Sequence, residues 1–323
     1  MPKVNHKLPL LEKMKVLIVD EMHDSIVQMP VELGLEVDYF PNLGLNEVAE
    51  IVEKYDGLII RSKFSIDESF LQKASRLKFI GRAGAGLDLI DLEACKRRDI
   101  AVFAANEANR VAVAEHLIGM ILALFNKIHL SHQQVKEGIW LREENRGEEL
   151  FGKTVGLIGY GNNGQATAER LVAFGCKVLA YDKYRYGFGN HLVTECTMKE
   201  IFREAEIVSL HVPLASDTFQ MCNHDFFASF TKSIFFCNVA RGELVVQEDL
   251  LQAIQEGKIK GACLDVLENE KIHALTAKQK EIFDQLISLP HVLITPHVAG
   301  WTFESYKKIN DVLRDKIKRY LAL

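Results

Sequence analysis

Short apolar runs recur along the chain, and between them apolar and polar residues alternate at helical spacing. In the first hundred residues the runs fall at 15–20 (KVLIVD), 35–40 (LEVDYF), 57–61 (GLIIR), 77–81 (LKFIG) and 100–103 (IAVF). Segments 46–55 and 91–98 carry the helical pattern. Runs rich in Val, Ile and Leu, with helices between them, predict a parallel sheet covered on both faces.

Residues 111–130 (VAVAEHLIGMILALFNKIHL) form a longer apolar stretch, predicted as one buried helix leading out of the first domain. A charged stretch at 142–149 (REENRGEE) reads as a solvated loop. From Lys153 the alternation restarts with KTVGLIG, KVLAYD, AEIVSLHV, SIFFCNVA, GACLDV and HVLITPH, enough buried strands for a complete dinucleotide-binding domain. The tail, 302–323, has apolar residues at helical spacing and fits either domain. The predicted fold class is therefore α/β: two Rossmann-like or flavodoxin-like parallel-sheet domains with a cleft between them. A chain of 323 residues is long enough for both.

Charge narrows the partners. Lys and Arg number 39 against 44 Asp and Glu, a net charge of −5, which disfavours nucleic acid and anionic membranes. No apolar run reaches the length of a membrane span, and residues 1–13 (MPKVNHKLPLLEK) lack the apolar core of a leader, so a cytoplasmic protein is expected. The six cysteines form no CxxC pair and are expected as free thiols. No His, Cys, Asp and Glu set has zinc spacing, so no metal is expected.

The sharpest local signal is VGLIGYGNNG. Gly159, Gly161 and Gly164 form G-x-G-x-x-G between a predicted strand and a predicted helix at 165–174. Gly159 permits the tight turn, Gly161 lets the backbone approach a pyrophosphate, and Gly164 lets the helix pack on the strand. The next strand ends at Asp182, placed to accept hydrogen bonds from ribose hydroxyls and to repel a 2′-phosphate, which favours NAD over NADP. The neighbouring bases Lys183 and Arg185 pull the other way. Three later strands end near Arg241, Asp265 with Glu270, and His297, polar groups where an open sheet places ligands.

In these segments the chain resembles the D-isomer-specific 2-hydroxyacid dehydrogenases. The matching stretches are RAGAGLDLIDLEACKRRDIAV, NxxxVAEH from Asn109 to His116, GKTVGLIGYGNNG, HVPL, NVARGELV, GACLDVLENE and TPHVAG. The resemblance implies that Arg241 binds the substrate carboxylate, that His297 is the acid/base at the 2-oxygen, and that Glu270 holds its imidazole. It implies an NAD site in which Asn162 and Asn163 meet the pyrophosphate. His211, Val212 and Pro213 line the adenine side, Val239 and Ala240 precede the catalytic arginine, Asp265 meets the nicotinamide amide, and Ala299 and Gly300 make room for the ring. On the substrate side it implies a backbone turn at Gly84, Ala85 and Gly86 for the carboxylate, and Arg61, Ser62 and Lys63 for a phosphate. It also implies that the last helix rejoins the first domain, so that residues 1–108 with 298–323 bind substrate and 109–297 bind NAD, and that the helix near Glu115 forms a homodimer or higher assembly. Two departures stand out: Lys271 follows Glu270 where the family usually has Pro, and Ala104-Ala105-Asn106 replaces the usual Asn-Ala-Pro.

The expected substrate is a small 2-hydroxy or 2-oxo acid, first of all D-3-phosphoglycerate in serine biosynthesis. Hydroxypyruvate or glyoxylate reduction is the alternative with the same catalytic trio. An NAD-sensing, non-catalytic partner protein is the alternative of a different class. The family's long members add a C-terminal regulatory domain; a chain ending after its last predicted helix is expected to be the short form.

Overall fold

The computed structural model describes residues 14–322. The stretch 1–13, read above for a leader, and the last residue of the expected tail helix lie outside them. The chain divides into two units, one holding the sequence up to Ala108 and again from Tyr306 onward, the other Asn109–Ser305.

The first unit is built on five parallel strands: β1 (Lys15–Ile18), β2 (Glu36–Tyr39), β3 (Gly57–Ile60), β4 (Phe79–Arg82) and β5 (Ala101–Ala104), in the order β2-β1-β3-β4-β5. β3 is buried along its whole length, as an all-apolar run between two helical layers requires. One face packs Leu17, Leu58, Ile80 and Phe70. The other packs Ile18, Ile59 and Phe79 against Ile309, Leu313 and Ile317 of the C-terminal helix Phe303–Tyr320. The spacing of those three residues puts them on one helix face, which is why the tail covers this sheet.

The second unit holds β6 (Thr154–Ile158), β7 (Lys177–Tyr181), β8 (Thr194–Glu195), β9 (Ile207–Leu210), β10 (Ile234–Asn238), β11 (Ile259–Leu264) and β12 (Val292–Ile294). All are parallel, in the order β12-β11-β10-β9-β6-β7-β8. Two residues make up β8, too few to leave an apolar run, so nothing in the pattern announced it.

Two expectations need correction. Residues 111–130 are not one helix: Arg110–Phe125 ends at Asn126, Lys127 turns left-handed with φ 49°, and Ile128–Lys136 runs on after a 60° bend. The first segment is buried in the second unit's core, whereas Ile128 and Val135 of the second stand about half exposed. No single helix among the described residues is long and apolar enough to cross a membrane. The second correction concerns the domain boundary, which falls after Ser305 rather than after His297. The amides of Val298 and Ala299 donate to Asp265, and the Ser305 hydroxyl donates to the Gly300 carbonyl at 2.7 Å, so this loop belongs with the second sheet.

All six cysteines are free thiols, five of them buried. Burial pushes Cys95, Cys176 and Cys196 up to about 11, so they stay protonated and unreactive at neutral pH.

Candidate active site

The glycine turn joins β6 to the helix Asn162–Ala173. Gly159 has φ +99°, and a Cβ there would stand 2.6 Å from the His211 carbonyl oxygen. A Cβ on Gly164 would stand 2.3 Å from the Gly159 carbonyl oxygen, so the helix can start this close only with glycine at both positions. A Cβ on Gly161 would meet nothing within 4 Å, which leaves open space where helix N–H groups collect. The Asn163 side-chain oxygen is buried in this first turn without a hydrogen-bond partner. An open cradle at the start of a helix, where backbone amides collect, fits a dinucleotide pyrophosphate.

Asp182 braces the turn. Its carboxylate accepts the Tyr160 amide at 2.8 Å and the amides of Tyr184 and Arg185 at 2.9 and 3.1 Å. The two neighbouring bases are tied down elsewhere. Lys183 pairs with Asp217 at 2.6 Å, and the Arg185 guanidinium donates to the Tyr160 carbonyl at 2.6 Å. Across the turn, the His211 ring shares a hydrogen bond with the Ser209 hydroxyl at 3.1 Å, and burial pushes its imidazole down to about 4. It is therefore neutral at pH 7. Val212 packs partly on the core, and Pro213 is exposed beside it.

The three reactive candidates sit just past β10, β11 and β12, which are neighbours in the sheet. Arg241 follows β10 in an extended conformation, its guanidinium donating to the Ala240 carbonyl at 2.7 Å. Val239, before it, is buried. Gly242, after it, is so close to the Leu267 carbonyl (1.8 Å from a built Cβ) that only glycine lets this turn lie on the segment leading to Glu270. His297 has φ +54°, a left-handed conformation unusual for a side-chain-bearing residue. Its Nδ1 meets the Glu270 carboxylate at 2.9–3.0 Å, which leaves Nε2 for a substrate oxygen. That hydrogen bond raises the His297 pKa above its usual value; burial and the Arg241 charge oppose it, while the charges of Glu270 and Asp265 add to it. Arg241, Glu270 and His297 thus share one electrostatic site.

Asp265 holds its own loop. It is 1% exposed, and one carboxylate oxygen accepts the Thr295 hydroxyl at 2.6 Å and the Val298 amide at 2.9 Å, while the other accepts the Ala299 amide at 2.8 Å. Its carbonyl accepts the His297 amide at 2.8 Å. The carboxylate therefore holds the loop that presents the imidazole. His116 reaches the same group through Thr295, its Nε2 lying 3.0 Å from the hydroxyl. Gly300 closes the loop against Asn109, whose amide nitrogen would be 2.6 Å from a Cβ there. Asn238, 1% exposed, does for Arg241 what Asp265 does for His297: its amide donates to the Arg241 carbonyl at 2.8 Å and its oxygen accepts the Ala240 amide at 3.0 Å. Asn238 and Thr295 escaped the sequence reading as site residues; a polar residue ending an apolar strand was the available signal. No group of three or more His, Cys, Asp or Glu poised for a metal occurs among the described residues.

In the first unit, the backbone amides of Arg61, Ser62 and Lys63 all donate to the Asp20 carboxylate, at 2.6, 3.0 and 3.2 Å. The Gly84 amide donates to the Arg82 carbonyl at 2.8 Å, so in that turn Ala85 and Gly86 carry any carboxylate contact.

Glu270→Gln gives a checkable consequence. A histidine whose pKa is raised keeps its proton to higher pH; without the carboxylate it loses it sooner. The falling limb of the reduction rate against pH is expected to move to lower pH in the variant, and an unmoved limb would separate Glu270 from the imidazole.

Comparison with known proteins agrees with this geometry. Residues 118–299 match the family profile described as D-isomer specific 2-hydroxyacid dehydrogenase, NAD binding domain. The chain is 34% identical over 312 residues to a D-3-phosphoglycerate dehydrogenase of Methanocaldococcus jannaschii, covering 95% of this chain but 57% of that protein. It is 34% identical to a hydroxypyruvate reductase of Thermotoga maritima over 87% of this chain and 90% of that one. The structure of the Aquifex aeolicus D-lactate dehydrogenase complexed with NAD and lactic acid superposes with a TM-score of 0.81 at 27% identity, covering 95% of each chain. The chain belongs to the D-isomer-specific 2-hydroxyacid dehydrogenase family, and its second unit contains that family's NAD-binding domain. It spans a little over half the length of the phosphoglycerate dehydrogenases it matches (57% and 56%).

Proposed function

We propose that the protein interconverts a D-2-hydroxy acid and its 2-oxo acid. NAD, when bound, carries the hydride to or from C2. The observation that carries this reading is the His297–Glu270 pair at 2.9–3.0 Å, beside Arg241, in the NAD-binding unit. In the reducing direction Arg241 holds the substrate carboxylate and draws charge toward the carbonyl oxygen. His297 Nε2 delivers the proton to that oxygen, and Glu270 stabilises the imidazolium before transfer. In oxidation the neutral imidazole takes the proton back. Asp265 and Asn238 hold the two groups at fixed positions, so little reorganisation is left to the reaction itself.

The glycine turn, Asp182, His211 and Val212 would hold the dinucleotide, with Asn162 and Asn163 on the pyrophosphate and Ala299 and Gly300 beside the ring. The bracing of Asp182 and the engagement of Lys183 and Arg185 support NAD over NADP. The exposed apolar side chains of the second helical segment and of Ile139, Trp140 and Leu141 support self-association, in a homodimer or larger assembly. Two of the named relatives, the D-3-phosphoglycerate dehydrogenase and the hydroxypyruvate reductase, point to acids that differ in whether C3 carries a phosphate. Purified protein is expected to oxidise NADH when given a three-carbon 2-oxo acid, several-fold faster than with NADPH. Tight NADH binding without turnover of any 2-oxo acid, unaffected by His297→Asn, would favour a sensor instead.

A further inference from the structure

The dehydrogenase reading assigns roles to Arg241, Glu270 and His297 but not to the side chains that support them from the core. One chain of hydrogen bonds runs from a buried helix to the His297 loop, and all its members lie within Asn109–Ser305. His116 and Met120 stand four residues apart on the helix Arg110–Phe125, and so on one face of it. Both reach Thr295, the residue directly after β12: His116 Nε2 lies 3.0 Å and Met120 Sδ 3.7 Å from its hydroxyl oxygen. Thr295 is fixed on its other sides as well. Its amide donates to the Leu264 carbonyl at 2.9 Å, which extends the pairing of β11 with β12, and its carbonyl accepts the His297 amide at 3.0 Å. Its hydroxyl lies 2.6 Å from Oδ1 of Asp265.

Proton counting sets the direction of this chain. Asp265 as a carboxylate can only accept, and its two oxygens already receive the Val298 and Ala299 amides. The Thr295 hydroxyl has a single proton, and a carboxylate is a far better acceptor for it than a thioether sulfur. A hydroxyl that donates to Asp265 can only accept from the imidazole, so His116 carries a proton on Nε2. The direct distance from that nitrogen to Oδ1 is 3.6 Å, too long for a hydrogen bond, which makes the hydroxyl the link. The order is then Nε2–H to Oγ1–H to Oδ1, each bond polarising the next.

We propose that His116 is a positioning residue: through Thr295 and Asp265 it holds the loop that presents the His297 imidazole. The proposal rests on the dehydrogenase reading above. The two amides that Asp265 accepts belong to the residues directly after His297, whose φ of +54° persists only where its surroundings impose it. Around His116 the helix is packed into the core through Val113, Leu117 and Met120. The chain therefore ties a strained loop to a rigid element rather than to other loops.

The test measures kcat and KM for NADH-dependent reduction of whichever of hydroxypyruvate, glyoxylate and 3-phosphohydroxypyruvate is turned over fastest. The variants are His116→Leu, Thr295→Val and their combination, with His116→Gln and Thr295→Ser as conservative partners. Gln keeps an N–H donor at about the reach of Nε2, and Ser keeps the hydroxyl. Each apolar substitution is expected to lower kcat by about tenfold, with KM and NADH affinity changed by less than about twofold. The combination should cost no more than the worse single substitution, as links of one chain do, and Gln and Ser should restore most of the loss. Nitrogen-15 NMR of histidine-labelled, unsubstituted protein, at a pH where the ring is neutral, should find the His116 proton on Nε2; this reading does not depend on how the variants fold. An unchanged kcat in His116→Leu, losses that add in the combination, losses that Gln and Ser do not restore, or a neutral ring protonated on Nδ1 overturns the inference and leaves the dehydrogenase reading standing. Failure of the unsubstituted protein to reduce any of the three acids overturns both.

Discussion

Replacing His297 by Asn is expected to lower kcat by about 10²–10⁴-fold while NADH binding stays within a few-fold of its original strength. The side chain's two nitrogens have separate tasks. Nδ1 is committed to Glu270, so Nε2 alone is available to a substrate oxygen. Asparagine tolerates the left-handed backbone that His297 adopts at φ +54°, so the loop should keep its course and only the titrating group should be lost. Kinetics in both directions, with NADH binding followed by fluorescence quenching, would check this. Retention of more than about a tenth of the activity would remove His297 from the proton transfer.

Asp265→Asn is expected to act almost as strongly, through position rather than chemistry. The carboxylate offers acceptors on both sides, to the Thr295 hydroxyl and Val298 amide and to the Ala299 amide. An asparagine must turn an N–H₂ toward one of these donors. A buried hydrogen bond to a charged group contributes about 1.5–3 kcal/mol, so losing one destabilises the protein by a similar amount. The larger effect falls on catalysis: the His297 backbone is strained, and a misplacement on the order of 1 Å costs about 10²-fold in rate. Denaturant unfolding and the split between kcat and KM report on the two parts. If both stayed unchanged, the loop would have to be held by something other than Asp265.

Much of this was legible in the sequence because each feature left its own pattern. Apolar runs announced the long strands, since a parallel strand buried on both faces must be apolar throughout. G-x-G-x-x-G announced the dinucleotide turn, since Gly159 and Gly164 leave no room for a Cβ. Arg241, Glu270 and His297 were recognisable from their segments, and the structure gathers them past three adjacent strands. Other features left weaker traces. The break at Lys127 is invisible because apolar residues continue beyond it, and only the structure shows that they change from buried to exposed. Asp265 was legible as a site residue but its hold on the His297 loop was not, because spacing does not show which backbone amides a strand-end carboxylate accepts. Asn238 and Thr295 were hidden inside runs read as strands. The Asp20 carboxylate, meeting amides some forty residues away, had no local signature at all.

The account stands or falls on hydride transfer to C2 beside His297. Incubating the protein with NADH deuterated at C4 and hydroxypyruvate, and reading the product by NMR, tests it most directly. Deuterium at C2 of glycerate of the D configuration, with incorporation abolished by His297→Asn, is the expected result. Unlabelled product, an L-configured product, or labelling that survives loss of the imidazole would contradict it.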